Sequence, residues 1–240
     1  MVADGIVIAN GLTSLIVSIV SIITGIKLIL KYFQYREKVL LFSGITWLLM
    51  YEGWWAPSIS FIMLLITDQT LPIEMFFLIS MSLIPIAITF WMVACTELMY
   101  KKAQKMIIII FLIQATLFEL FSMFYLYFDP SAIIISVGVI DAEYRSFVIL
   151  YLIGVAILLI ITAFLFGRGS FKLDKPEIRL KGWFLLIGFT LLIAGSILDV
   201  FLKLEIITLI FYRSLLVLSS IAFYFGFFLP KQLKRIFLKN

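Results

Sequence analysis

At 240 residues, 64% hydrophobic and 14% charged, with a mean hydropathy of +1.18, the chain is too apolar for a water-soluble domain; ordinary globular chains are about half apolar and a quarter charged. A single cysteine, Cys95, excludes an intrachain disulfide, and the absence of histidine excludes His-based metal sites, His triads and histidine-requiring intramembrane hydrolases. The net charge of +5 is accounted for below by membrane topology, so nucleic acid is not expected as a partner.

A spanning helix needs about 20 largely apolar residues, because only a helix or a closed barrel satisfies its backbone in lipid. Seven stretches qualify, and an all-α, seven-transmembrane helical bundle is expected. Span one, 6–30, lacks a basic leader and is long enough to cross, so it is not expected to be a cleaved signal peptide. Its Asn10, Ser14, Ser18, Ser21 and Gly25 fall on one face, the pattern of close helix packing in lipid. Span two, 39–66, carries "YEGWWAPS" from Tyr51 to Ser58, with a kink expected at Pro57, just beyond Glu52. Span three, 73–99, is expected to kink at Pro85. At its end Glu97 stands one turn before Lys101, where an i,i+4 pair suffices.

Span four, 106–128, carries Glu119. The loop that follows contains "AIIISVGVI", which reads either as a short strand or flap or as an early start to span five, 144–166. Span six, 183–203, carries Gly188, Gly195 and Asp199 on one packing face. Span seven, 206–229, carries Arg213 and stops at Pro230. In the basic tail, 231–240, Leu233, Ile236 and Phe237 share one helical face, which predicts a short interfacial helix with a plain stop-transfer tail as the alternative. No internal repeat is visible.

Lys and Arg set the orientation. With the N-terminus outside, sixteen of them fall on the cytoplasmic side, the first being Lys27 and the last Lys239. Only Arg145 and Lys203 fall outside, and Arg213 lies within a span. The positive-inside rule therefore predicts an N-out, C-in protein of the cell membrane. Asp4, Asp68, Glu74, Asp129, Asp141, Glu143 and Glu205 occupy the outer segments.

Charges within spans cost about 2.5–3.5 kcal/mol each on insertion scales, so each needs an account. Glu52 lies near the centre of span two, Glu119 slightly outside the centre of span four, and Arg213 about 10–12 Å below the outer surface at 1.5 Å per residue. Arg213 can pair with Asp199 across the span six–seven hairpin, or with Glu52 if spans two and seven are neighbours. Trp54 and Trp55 stand about 16–18 Å from the outer end of span two, too deep for an interfacial aromatic belt. Tyr51, Trp54 and Trp55 offer donors and flat apolar walls beside Glu52. The candidate ligand- or proton-binding residues are thus Glu52, Trp54, Trp55, Tyr51, Glu119, Arg213 and Asp199. The competing account is a structural ion pair for Arg213 with the remaining acids held neutral.

No cofactor is expected: span seven, "IITLIFYRSLLVLSSIAFYFGFFLP", has no lysine to form a retinal Schiff base, so the chain is not a retinal-binding rhodopsin. It also lacks the DRY and NPxxY signatures of G-protein-coupled receptors and the paired prolines of small sugar transporters. Its final third, with "EIRLKGWFLLIGFTLLIAGSILD" and "FYFGFFLPKQLKRIF", resembles uncharacterised prokaryotic seven-transmembrane sensor-type modules such as those that precede histidine kinases. That resemblance implies a receptor-like module binding a small or lipidic ligand. No kinase or cyclase follows Asn240, so its output is expected in a separate cytoplasmic partner. The alternatives are a proton- or cation-coupled transporter and an assembly subunit that contacts another membrane protein. An enzyme is not expected, since no nucleophile–base pair, Walker A loop or Rossmann fingerprint is visible.

Overall fold

Apolar stretches that must satisfy every amide internally form helices, and the computed structural model of the chain is built almost wholly from them. It describes residues 4–172, 174–202 and 205–238. The helices are α1 (Gly5–Tyr35), α2 (Lys38–Met50), α3 (Trp55–Thr67), α4 (Ile73–Met81), α5 (Ile84–Met99), α6 (Gln104–Phe128), α7 (Ser146–Phe171), α8 (Pro176–Phe201), α9 (Ile206–Phe227) and α10 (Lys231–Phe237). Among the described residues seven spans are long and apolar enough to cross a membrane, with α2–α3 and α4–α5 each forming one span in two pieces. The protein is an all-α, multi-pass membrane protein of seven spans. Span six starts earlier than 183, at Pro176, because Pro suits a first helical turn whose amides have no partner. Lys203 and Lys239, counted in the charge asymmetry, lie outside the described residues.

The two prolines act differently from the expected kinks. Span two breaks before Pro57, at a 3-10 turn over Glu52–Trp54, and span three breaks before Pro85, at Ser82 and Leu83. Pro57 and Pro85 then stand in the first turns of the restarted helices α3 and α5. A proline clashes with the carbonyl four residues earlier and donates no hydrogen bond, so the ladder ends ahead of it and resumes with it.

The chain divides into two compact units, the first comprising residues up to Leu152 with the start of α9, and the second the remainder of α7, α8, α9 and α10. In the first unit the small-residue face of α1 is buried, as expected: Asn10, Ser14, Ser18, Ser21 and Gly25 are all inside. Gly25 and Gly44 bring α1 and α2 into backbone contact, since a Cβ on either would stand 2.8 Å from the other's carbonyl oxygen. Polar ties fix the other pairs. Ser18 and Ser58 hydroxyls meet at 3.2 Å between α1 and α3, and Thr46 donates to the Ala87 carbonyl of α5 at 3.3 Å.

The "AIIISVGVI" segment is a hairpin rather than the start of span five. Strands β1 (Ile134–Ser136) and β2 (Ala142–Tyr144) pair antiparallel, Ile135 opposite Glu143, around a turn in which Gly138 has φ 79°. Its Ile140 packs on Phe61 and Leu64 of α3, and Tyr144 donates to the Ser80 hydroxyl of α4 at 2.7 Å.

In the second unit Gly188 and Gly195 of α8 lie against the α9 backbone; a Cβ on Gly188 would stand 3.0 Å from the Phe223 nitrogen. The tail is helical: α10 docks on the start of α8 through Lys234 and Glu177 at 2.7 Å and through Phe237 against Phe184.

Gly44→Val is expected to lower stability by about 1–3 kcal/mol, because overpacking must push α1 and α2 apart. Gly154→Val, whose Cβ would meet nothing within 4 Å, should be nearly silent. Thermal unfolding of the purified protein in detergent, followed by size-exclusion chromatography, checks both.

Candidate functional site

A helix that restarts inside a membrane exposes backbone amides that no preceding turn accepts. At α5 these belong to Leu83 and Ile84, while Pro85 at the next position has no N–H to leave orphaned. Glu52 supplies the acceptor from the neighbouring break. Its Oε1 takes hydrogen bonds from the Leu83 and Ile84 amides, each at 2.6 Å. A carboxyl group at a helix N-terminus also meets the positive end of the helix dipole. Glu52 therefore joins the break in span two to the break in span three, and it is fully buried.

The 3-10 turn makes this geometry available. Had α2 continued through Tyr51, Glu52 would have taken the next position of an ordinary helical face. The turn instead starts a new helical phase at Trp55, closed by Trp54 donating its amide to the Tyr51 carbonyl at 3.1 Å. Tyr51 and Trp54 pack inward, in a column with Trp47 at centroid spacings of 5.3 and 5.2 Å. They build the wall beside Glu52 as core residues, Tyr51 at 0% and Trp54 at 8% exposure. Trp55 is half-buried, and its indole N–H is buried without a hydrogen-bond partner.

The second oxygen of Glu52, Oε2, is likewise buried without a partner. Glu119 of α6 is within electrostatic reach of Glu52, and Tyr151 of α7 is within reach of both carboxyl groups, with Gln114 beside its hydroxyl. The Tyr151 and Phe118 rings pack at a tilt of 36°, their centroids 4.3 Å apart. Glu119 Oε1, the Tyr151 hydroxyl and the Ser122 hydroxyl on the adjoining face of α6 lack well-formed hydrogen bonds. Buried polar atoms are nearly always paired in native proteins, so such a concentration marks a place where a polar species belongs.

The remaining two candidates sit in the second unit. Arg213 of α9 donates through Nη2 to Asp199 of α8 at 3.2 Å, with the two side chains 5% and 19% exposed. Of the two pairings expected for Arg213, the one with Asp199 is observed. The close α8–α9 approach at Gly195 brings the two side chains within reach. The pair has the form of a structural ion pair, while Glu52 keeps company with Glu119 and Tyr151 in the first unit. Glu97 pairs with Lys101 as expected, with Gln104 also donating to it at 3.1 Å.

Sequence reasoning missed Tyr151, Gln114 and Ser122, which carry no signal as isolated polar residues in apolar helices. The Leu83–Ile84 amides were within its reach. "SLIPI" places an acceptor-hungry helix start in mid-span, and Glu52 is a carboxyl group at a matching depth in the preceding span. No family model matches this chain, and no curated protein or solved structure matches it.

Glu52→Ala is expected to cost about 2–6 kcal/mol, since each of two buried amides loses its partner at about 1–3 kcal/mol. Glu52→Gln keeps a carbonyl oxygen for them and should cost less than half as much; thermal unfolding in detergent compares the two. For the ion pair, Asp199→Leu or Arg213→Met alone should cost about 3 kcal/mol, whereas the two together recover most of it. A double-mutant cycle on the same unfolding signal reads that difference.

Proposed function

We propose that this protein is a receptor-like module of the cell membrane that binds a small ligand at the junction of the two broken spans. The observation that carries this reading is the division of labour within one carboxyl group. Glu52 Oε1 holds the α5 start, while Oε2 is buried and unpartnered, with Glu119 and Tyr151 within electrostatic reach of the carboxyl group. A species that engages Oε2 competes for, or reorients, the same group that joins spans two and three. Occupancy is thereby converted into movement at two helix breaks, which lack the continuous ladders that resist bending. The β-hairpin is attached to the same region, because Tyr144 bonds Ser80 two residues before the span-three break.

With the N-terminus outside, this hairpin faces the exterior and the basic loops face the cytoplasm, where a separate signalling partner would read the change. The likeness of the final third to sensor-type modules agrees with this assignment. A second reading, a proton- or cation-coupled transporter, is favoured by the discontinuous helices themselves, which in transporters commonly line substrate sites.

A screen of the purified protein against small metabolites and lipids by thermal shift is expected to return a ligand whose stabilisation disappears in Glu52→Gln. A ligand set that stabilises wild type and Glu52→Gln equally contradicts the site. Substrate-dependent flux in proteoliposomes, abolished by the same substitution, would favour transport over sensing. For orientation, cysteines introduced at Val139 and Asp174 in a Cys95→Ser background are expected to label differently. A membrane-impermeant maleimide should reach Val139→Cys in intact cells and Asp174→Cys only after lysis.

A further inference from the structure

We infer that α10 is a docking surface for anionic phospholipid, with Lys231 and Arg235 as its headgroup contacts and Ile236 as its apolar anchor. The inference concerns the second unit and is independent of the ligand site at the span breaks.

Depth comes from what α10 touches. Helix α8 has 26 residues, about 39 Å at 1.5 Å per residue against a hydrocarbon core about 30 Å thick, so its first residues stand among headgroups. Lys234 reaches Glu177, in the first turn of α8, at 2.7 Å. Phe237 meets Phe184 edge to face at 6.4 Å, and Phe184 also meets Phe225 near the end of α9 at 5.4 Å. These contacts pin α10 to the stretch of α8 that passes from headgroups into hydrocarbon. Trp183, exposed beside Phe184, marks the same level, because tryptophans collect at the membrane–water boundary.

Docking also sorts the charges of α10. By sequence alone Lys231, Lys234 and Arg235 form one basic group. In the structure Leu233 and Lys234 are half-buried, while Lys231, Gln232, Arg235 and Ile236 are exposed. Lys234 is taken by Glu177, which also has Lys181 at 3.8 Å, and the nearby Asp174 accepts from Arg179 at 2.8 Å. Among the described residues no acid pairs with Lys231 or Arg235. The two cations are one turn apart, a spacing at which like charges destabilise a helix. A phosphodiester seated across them removes that repulsion, and its oxygens match the planar fork of an arginine.

The neighbouring apolar side chains select a lipid over a free phosphate. Ile236 and Phe237 are 65% and 58% exposed beside the cations. A phosphate ion leaves both in water, whereas a phospholipid at this depth covers them with its acyl region. An acidic protein surface would have to displace that lipid to reach α10.

The test is titration of the full chain in dodecyl maltoside with dioleoylphosphatidylglycerol, with dioleoylphosphatidylcholine and inorganic phosphate as comparison arms. Thermal unfolding gives the lipid concentration for half-maximal stabilisation. Bimane on Gln232→Cys, in a Cys95→Ser background, reports contact at α10 itself. Phosphatidylglycerol is expected to stabilise saturably and to shift the bimane emission to shorter wavelength, and the other two arms to do neither. Lys231→Gln combined with Arg235→Gln should raise the half-maximal concentration at least about tenfold. Lys234→Gln should lower the starting unfolding temperature, by releasing Glu177, yet keep the phosphatidylglycerol response. Lys102→Gln with Lys105→Gln, an equal charge change at exposed positions of another loop, should respond as wild type.

An unchanged response in the Lys231 and Arg235 variant overturns the assignment. So does an equal loss in the Lys102 and Lys105 variant, which would reveal diffuse charge, or in Lys234→Gln. Equal stabilisation by inorganic phosphate overturns the lipid class, and no distinction between the two lipids overturns the anionic one. Should the Lys231 and Arg235 variant not fold, the bimane probe decides: no shift with phosphatidylglycerol overturns the proposal.

Discussion

Two amides of a helix that begins in the middle of a membrane need an acceptor, and one carboxyl oxygen provides it. This constraint organises the first unit. Lipid has nothing to offer the Leu83 and Ile84 amides in mid-span. Without the Glu52 carboxyl group, the restart of α5 would carry two unmet donors. With it, the break becomes a fixed joint, and the break in span two acquires a reason. The 3-10 turn over Glu52–Trp54 shifts the helical phase at the residue that must reach across. An acid that looks costly in hydrocarbon is thus part of the backbone's own hydrogen bonding.

Packing around this joint follows from the absence of a hydrophobic drive between helices in lipid. Close approach comes from glycine and serine, with α1 meeting α2 at Gly25 and Gly44, and α8 meeting α9 at Gly188 and Gly195. Specific register comes from sparse polar ties such as Ser18 to Ser58 and Thr46 to the Ala87 carbonyl. The Arg213–Asp199 pair does the same for α8 and α9. Around Glu52, Glu119 and Tyr151 several buried polar atoms are unmet, as are the hydroxyls of Ser43, Ser60 and Ser82 elsewhere in the first unit. What sets the candidate site apart is that one of its groups, Glu52, also holds the start of α5.

Much of the fold was legible in the chain. The seven spans, the buried small-residue face of α1, the packing role of Gly188 and Gly195 and the Glu97–Lys101 pair follow from length, periodicity and spacing, while the tail's helix was one of two readings that its residues allowed. The position of the breaks did not. Proline was read as bending a continuous helix, but the ladders stop several residues earlier, where an acceptor or turn can deal with the freed amides. Of the candidate site, Glu52 and Glu119 stood out because ionisable groups are rare in spans. Trp54 and Trp55 were noticed for their depth; Trp54 is buried and Trp55 half-buried.

The sequence by itself determined that this chain spans a membrane seven times with helices, since apolar length and backbone satisfaction leave few alternatives. It also determined which residues would be costly there. Only the tertiary structure decided which partner each costly group takes: Asp199 for Arg213, and two backbone amides for Glu52. Pairing depends on distances between helices far apart in sequence, and on helical phase changes at breaks that no local pattern specifies. The hairpin shows the same limit, because its strands are fixed as much by Ile140 on Phe61 and Tyr144 on Ser80 as by their own residues.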